Sequence, residues 1–497
     1  MKFLCPSSVQ AYWRFALILV LFLDFSYSFF QHLGQPLDGD MAGGIVPANE
    51  VNRVLQDPFG CAVLLDGEVY PNPNRFFSHY FFFIYFRQIP LFLQHFVSPI
   101  ESPYWAAALF KTLLQMGIIG LLACYISAKK WVFDQKFLLA AALILPLFQT
   151  NGYHNYMGII DQSITYTFFY ALPCAFVLLF YLPYFLKKQQ VITQPYFFPL
   201  RILLFGLAVL IVFSGPLNPG ICLVLSCLLC IHYLLRRNAI TPNTSFSRRL
   251  ASFFKYSHNS TNNRTDNSAD LFFWVFPISI LSLYSLYIGQ NNAIFLDQQL
   301  PLLERYLRLP HGFWVMLTTK IGYGLFVIML IINVSLTIGI RHKKGGDELL
   351  QMGKWIAFFA LLYVLLLPLG GYKDYRPYTV RYDTMMPVNI CLLFFYARST
   401  MWLLENLRRP FQSIYLAAIL LFSLNYMVAD EAHFSKNACE KAALKQIATA
   451  QASPVLLEND CRVLSWRKTL DPKTSELNGL LLQQWNIAKE AKTYYQK

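Results

Sequence analysis

Apolar runs recur along this chain at close to the ~20 residues that a helix needs to cross a hydrocarbon core. They fall near 11–30, 104–126, 137–150, 164–185, 198–213, 219–235, 271–289, 313–340, 354–370, 385–403 and 411–428, about eleven in all. A backbone in lipid must satisfy its own hydrogen bonds, so these runs predict an all-α, polytopic transmembrane helix bundle. The third and fifth runs are short for a spanning helix, and the stretch 76–97 is apolar enough to compete with them. The polar intervals divide the chain into a membrane module over 1–428, with a long first loop at 31–103, and a small helical tail over 429–497.

Composition agrees. The 497 residues are 56% hydrophobic and only 14% charged, with a mean hydropathy of +0.40, which excludes an ordinary soluble domain. The start, "MKFLCPSSVQAYWRFALILVLFLDFSYSFF", has the basic opening and apolar middle of a signal peptide. It lacks a small-residue exit, so it reads as an uncleaved first span.

Charge sets the expected orientation. With the N-terminus inside, alternate loops contain Lys129, Lys130 and Lys136, then Lys187 and Lys188, then Arg236, Arg237, Arg248, Arg249 and Lys255, then Arg341, Lys343 and Lys344, then Arg408 and Arg409. This pattern explains the formal +14 charge without a nucleic-acid partner. It predicts an integral protein of a bacterial inner membrane, N-terminus cytoplasmic and tail periplasmic. The ten cysteines are scattered through apolar runs without zinc spacing and read as packing residues. Cys439 and Cys461 bracket a tail helix on the oxidising side, where a disulfide between them can form if the fold brings them close.

The first outer loop offers an interfacial helix, "PANEVNRVLQD", and a second interfacial or re-entrant segment, "FFSHYFFFIYFRQIPLFLQHF". In the tail, "NACEKAALKQIATAQ" and "LNGLLLQQWNIAKEAKTYYQ" read as helices, and the Ser/Thr/Asn-rich loop 238–270 reads as a linker between two halves of the bundle.

Candidate chemistry gathers on the outer side. "LDGD" sets Asp38 and Asp40 just past the first span. Asp-Gly is a common turn former, but two carboxylates so spaced can also ligate a divalent cation such as Mg or Mn, or supply a base. The second outer loop adds His154 and Asp161. The late loop "GGYKDYRPYTVRYDTMMP" breaks the positive-inside pattern with Lys373, Arg376 and Arg381 beside Asp374 and Asp383, among tyrosines, as a phosphate site would require. Lys111 and Lys320 sit about two turns inside the outer ends of their spans, where an ammonium either snorkels or meets an anion. Asp24 is expected to pair with one of these lysines, His79 and His95 to be packing residues, and Arg305, Arg308 and His311 to border the cleft or a solvated face.

The acidic pair in "LDGD", the interfacial helices after it and "VRYDTMMP" before a late span together resemble the type C glycosyltransferases. The resemblance implies a polyprenyl-phosphate-linked sugar donor and a glycan, lipid or protein acceptor at the outer face. It also implies Asp38 or Asp40 as base or metal ligand, with Arg376 and Arg381 holding the lipid phosphate. No nucleotide-binding glycine loop is present, in keeping with a lipid-linked donor. A lipid or small-molecule transporter or flippase is the alternative, drawing on the intramembrane charges. A non-catalytic envelope-assembly factor is a third, and predicts that the outer carboxylates tolerate replacement.

Overall fold

The computed structural model describes residues 7–128, 134–148, 158–191, 198–240, 268–296, 300–318, 321–371 and 376–497. Among them, nine helices are long and apolar enough to cross a membrane, and two shorter apolar ones, Gln135–Phe148 and Pro199–Val212, lie between. The protein is an all-α polytopic bundle, an integral membrane protein. Its outward faces present large apolar side chains such as Phe15, Leu283, Ile331 and Leu420, as a lipid solvent requires.

Local chemistry shapes several spans. Over the expected 313–340 span the described helices are Leu309–Thr318 and Ile321–Gly339, on either side of residues 319–320. The third run ends in a tighter 3-10 turn at Leu145–Phe148 that contains Pro146. At the start of the 164–188 helix the backbone widens into a single π turn over Thr167–Ala171. Pro173 has no N–H to give to Phe169, and the ladder loosens at that point.

One end of the bundle, the loop end, collects the first long loop, residues 158–163 of the second, the 376–385 segment and the tail. The opposite end carries the Lys136–Glu405 ion pair (2.7 Å) and the Trp402 Nε1 bond to the Lys344 carbonyl (3.0 Å). The 241–267 linker and the basic residues Lys129, Lys130, Arg248, Arg249 and Lys255 lie outside the described residues.

In the first loop the predicted helices form at Asn49–Gln56 and Phe76–Leu93. The second of these packs into a core separate from the main bundle core. That second core joins Leu37, Met41 and Ile45 of the loop and Phe82 and Phe86 of the helix to Leu444, Trp485 and Tyr494 of the tail. The tail is therefore packed onto the loop, not pendant from the last span. Trp485 is fully buried and donates from Nε1 to the Phe86 carbonyl at 2.9 Å. Trp485→Ala is expected to cost the tail about 3–5 kcal/mol, visible as protease cleavage after residue 429.

The first tail helix forms at Ala438–Thr449. The second ends at Gln484, and residues Tyr494–Gln496 instead pair in parallel with Val455–Leu457. Helical periodicity could not anticipate this strand, because its partner lies some forty residues away. Cys439 and Cys461 are joined in a disulfide, closing a loop worth about 3 kcal/mol in the chain-entropy account. Next to it, buried Glu440 accepts from Leu37 N (2.9 Å), Leu464 N (2.9 Å) and Tyr104 Oη (2.8 Å). One carboxyl thus ties the first loop, the tail and the second span together.

Candidate functional site

The acidic pair divides its labour. Asp38 is 5% exposed. Its Oδ1 accepts from Asp40 N (3.0 Å) and Thr165 Oγ1 (2.8 Å). Its Oδ2 accepts from Ser163 Oγ (2.7 Å) and Thr165 N (3.0 Å). The first of these closes a tight Asp turn, and the other three lock the first loop to the start of the 164–188 helix. All four lone-pair directions have protein donors, so a cation at Asp38 would have to displace them.

Asp40 turns outward, its Oδ1 accepting from Trp466 Nε1 of the tail at 3.0 Å. Gly39 separates the two because a Cβ there would lie 2.6 Å from Trp466 N and 2.7 Å from its Cδ1. No group of three His, Cys, Asp or Glu side chains able to hold a metal occurs among the described residues.

Five residues before Tyr166, the turn that Asp38 secures also sets Asp161. Its Oδ1 accepts from Ser163 N at 2.7 Å, and its Oδ2 has no hydrogen-bond partner among the described residues. Burial pushes this carboxyl up to about 6, against the opposing pull of the Ser163 N–H and the Lys111 charge, while Asp383 and Asp38 add to the rise. Lys111 is buried and donates to the Gln162 carbonyl. It thus reaches up from the span to the second loop, and the carboxylates that its charge meets are Asp161 and Asp38.

Asp383 closes the cluster from the late loop. Only 2% exposed, it accepts from Arg381 Nε (2.6 Å) and Thr384 N (2.9 Å) at Oδ1 and from Arg376 Nη1 (3.4 Å) at Oδ2. Arg376 also donates to the Tyr166 hydroxyl and lies 5.1 Å over that ring. The two arginines named from sequence are therefore both engaged with one carboxylate. Gly158, with φ +61°, lets the second loop pass against Tyr382, where a Cβ would meet the ring at 2.6 Å.

Beside Asp383 opens a narrow cleft. Its apolar wall comes from Phe169, Cys174, Leu217, Ile221 and Met386, and its polar edge from Arg75, Tyr170, Ser214 and Asn218. The π turn places Phe169 and Tyr170 in the lining. Arg75 lies 5.2 Å over Phe169, and its buried Nε has no hydrogen-bond partner among the described residues. Gly215 (φ +128°) gives the guanidinium room, since a Cβ there would stand 3.3 Å from that Nε.

Sequence reasoning missed Arg75, which closes a Pro/Asn-rich turn, and Trp466, which sits in the tail. A guanidinium at the end of a turn directly before a helix was the available signal for the first. No local signal marked the second.

Other candidates lie elsewhere. His154, Lys320, Lys373 and Asp374 are outside the described residues. Arg305 donates to the Leu300 and Pro368 carbonyls, and Arg308 pairs with Glu304 and reaches the Pro377 carbonyl. Both brace the edge of the late loop and do not line the cleft. Asp24 is buried one helical turn before Ser28. His79 packs edge-on against Phe169 at 4.7 Å, behind the cleft wall. No protein-family model matches this chain, and no curated protein sequence matches it.

Proposed function

We propose that this chain is a membrane glycosyltransferase that moves a sugar from a polyprenyl-phosphate-linked donor to an envelope glycan, lipid or protein on the outer face of a bacterial inner membrane. The observation that carries the reading is Asp161, a carboxyl whose proton affinity burial raises, with one oxygen open among the described residues, between Lys111 and the arginine-bound Asp383. A base needs such an affinity to take a proton at neutral pH.

Asp161 Oδ2 takes the proton of an acceptor hydroxyl, whose oxygen forms the new bond to the anomeric carbon. The bond from that carbon to the phosphate oxygen breaks, and the polyprenyl phosphate leaves with its electron pair. Charge on the leaving phosphate calls for a cation without a carboxylate of its own. Arg75 fits this role better than Arg376 or Arg381, which are occupied by Asp383. The apolar wall of the cleft suits the first isoprene units. Asp38 acts as a positioning residue, and the N-inside orientation follows from the alternate basic loops.

Arg75→Ala is expected to weaken binding of a polyprenyl-phosphate donor by about 10–100-fold, the loss of one charge-assisted contact. Titration of donor lipid into the protein in nanodiscs reads this directly. Unchanged affinity would remove the phosphate from the Arg75 cleft.

A transporter or flippase keeps one specific support. The buried stripe of the first span is polar: Ser28 and Gln31 are fully buried, and His32 Nε2 lies 3.3 Å from Gln115 Oε1, whose amide donates to Ser28 Oγ at 3.2 Å. That reading predicts movement of donor lipid across liposomes without release of polyprenyl phosphate.

A further inference from the structure

We propose that Trp466, Tyr166 and Asp40 form the acceptor subsite, and that the acceptor presents a pyranose ring to it. The inference rests on the transferase reading and narrows its acceptor to a glycan.

Trp466 is 44% exposed, yet its plane is fixed on every side that touches protein. Its Nε1 donates to Asp40 Oδ1 at 3.0 Å. Gly39 packs against it with no space for a Cβ, which would stand 2.7 Å from the indole Cδ1. The Tyr166 ring stands beside it at 5.8 Å and 32°. The chain that carries it is anchored two residues earlier by the Leu464 N bond to Glu440 (2.9 Å) and further back by the Cys439–Cys461 disulfide. An open aromatic ring held this firmly is apolar area that needs no ordering when a ligand arrives.

The chemistry around the plate selects its occupant. A pyranose offers a face of C–H bonds and a rim of hydroxyls. The indole takes the first, and a carboxylate and a guanidinium at its border take the second. Asp40 places a carboxylate on one side, and Arg376, over the Tyr166 ring, places a guanidinium on the other. A lipid acceptor would want the apolar surface to continue past the plate, but here it is flanked by these two charges.

Position agrees as well. Asp40 is two residues from Asp38, and Tyr166 opens the helix that Asp38 secures. Tyr166 is also the residue that Arg376 links to Asp383. The plate therefore adjoins the carboxylate cluster through Asp40 and Tyr166, and we place the reacting hydroxyl of a bound sugar on the side of Asp161.

Saturation-transfer NMR on the full-length protein in nanodiscs tests this, with the methyl pyranosides of glucose, galactose, mannose and N-acetylglucosamine as probes. The expected result is transfer to the ring C–H protons of at least one glycoside. That signal should fall about tenfold in Trp466→Ala and be largely kept in Trp466→Phe, which preserves a plate. Asp40→Asn should weaken the same signal. A thermal transition measured on each variant separates loss of the plate from loss of the fold.

No transfer to any glycoside, transfer indifferent to both Trp466 variants, or transfer only to nanodisc lipid would overturn the proposal. Donor-lipid turnover by the unaltered protein is measured separately, so failure of the transferase reading shows there and failure of the plate shows here.

Discussion

Replacing Asp161 with asparagine is expected to lower sugar transfer about 10²–10⁴-fold, the contribution of a positioned base. The folded protein should persist. Its Oδ1 bond to Ser163 N can be kept by an amide oxygen. The sign of the pKa shift also favours this outcome. Burial raises the folded carboxyl to about 6, above its unfolded value. The stability that it contributes is full below about pH 4 and is lost as pH rises through 6. A neutral asparagine removes that penalty at neutral pH.

Two readouts follow. The wild-type rate should climb with pH through about 6 as the base ionises. The variant should show neither the rate nor the inflection. A variant that retains wild-type turnover would take the base role from Asp161.

Asp38 should behave differently. Whichever of its oxygens becomes an amide nitrogen, that group faces one backbone donor that cannot turn round, Asp40 N or Thr165 N. The hydroxyls of Ser163 and Thr165 can rotate to accept, but those N–H groups cannot. Asp38→Asn is therefore expected to cost about 1.5–3 kcal/mol, and Asp38→Ala, which strands all four donors, about 3–5 kcal/mol. Activity falls because the 161–166 turn shifts, so the surviving rate of Asp38→Asn should keep its inflection near pH 6. Thermal unfolding in detergent together with the pH profile checks both parts. Loss of the inflection with unchanged stability would instead make Asp38 the base.

The contrast between these two aspartates marks what could be read from sequence. Polytopic architecture was legible because each span's apolar content is a local property, and the predicted runs match helices even where Gln135–Phe148 and Pro199–Val212 are short. The carboxylates, Lys111 and the late-loop arginines were legible as residues out of place in so apolar a chain. Their roles were not. Spacing left Asp38 and Asp40 equivalent, but three of the four donors that fill the lone pairs of Asp38 come from Ser163 and Thr165, far along the chain.

The engagement of Arg376 and Arg381 with Asp383 was likewise undecided by spacing, because a loop of mixed charge can fold on itself or open to a ligand. Arg75 enters the cleft only through a turn, a close-approach glycine at 215 and a π widening at 167–171. The tail's strand and Trp466 depend on contacts across tens to hundreds of residues, which no local pattern encodes.

The central claim is that the loop-end carboxylate cluster performs sugar transfer from a lipid phosphate. Its most direct test is release of polyprenyl phosphate by the purified full-length protein in nanodiscs, supplied with a panel of polyprenyl-phosphate sugars and run beside Asp161→Asn. Release from at least one donor, slowed about 10²–10⁴-fold by the substitution, is the predicted result. Equal rates in the two proteins would contradict the account. So would absence of release from every donor while the same protein moves donor lipid across liposomes.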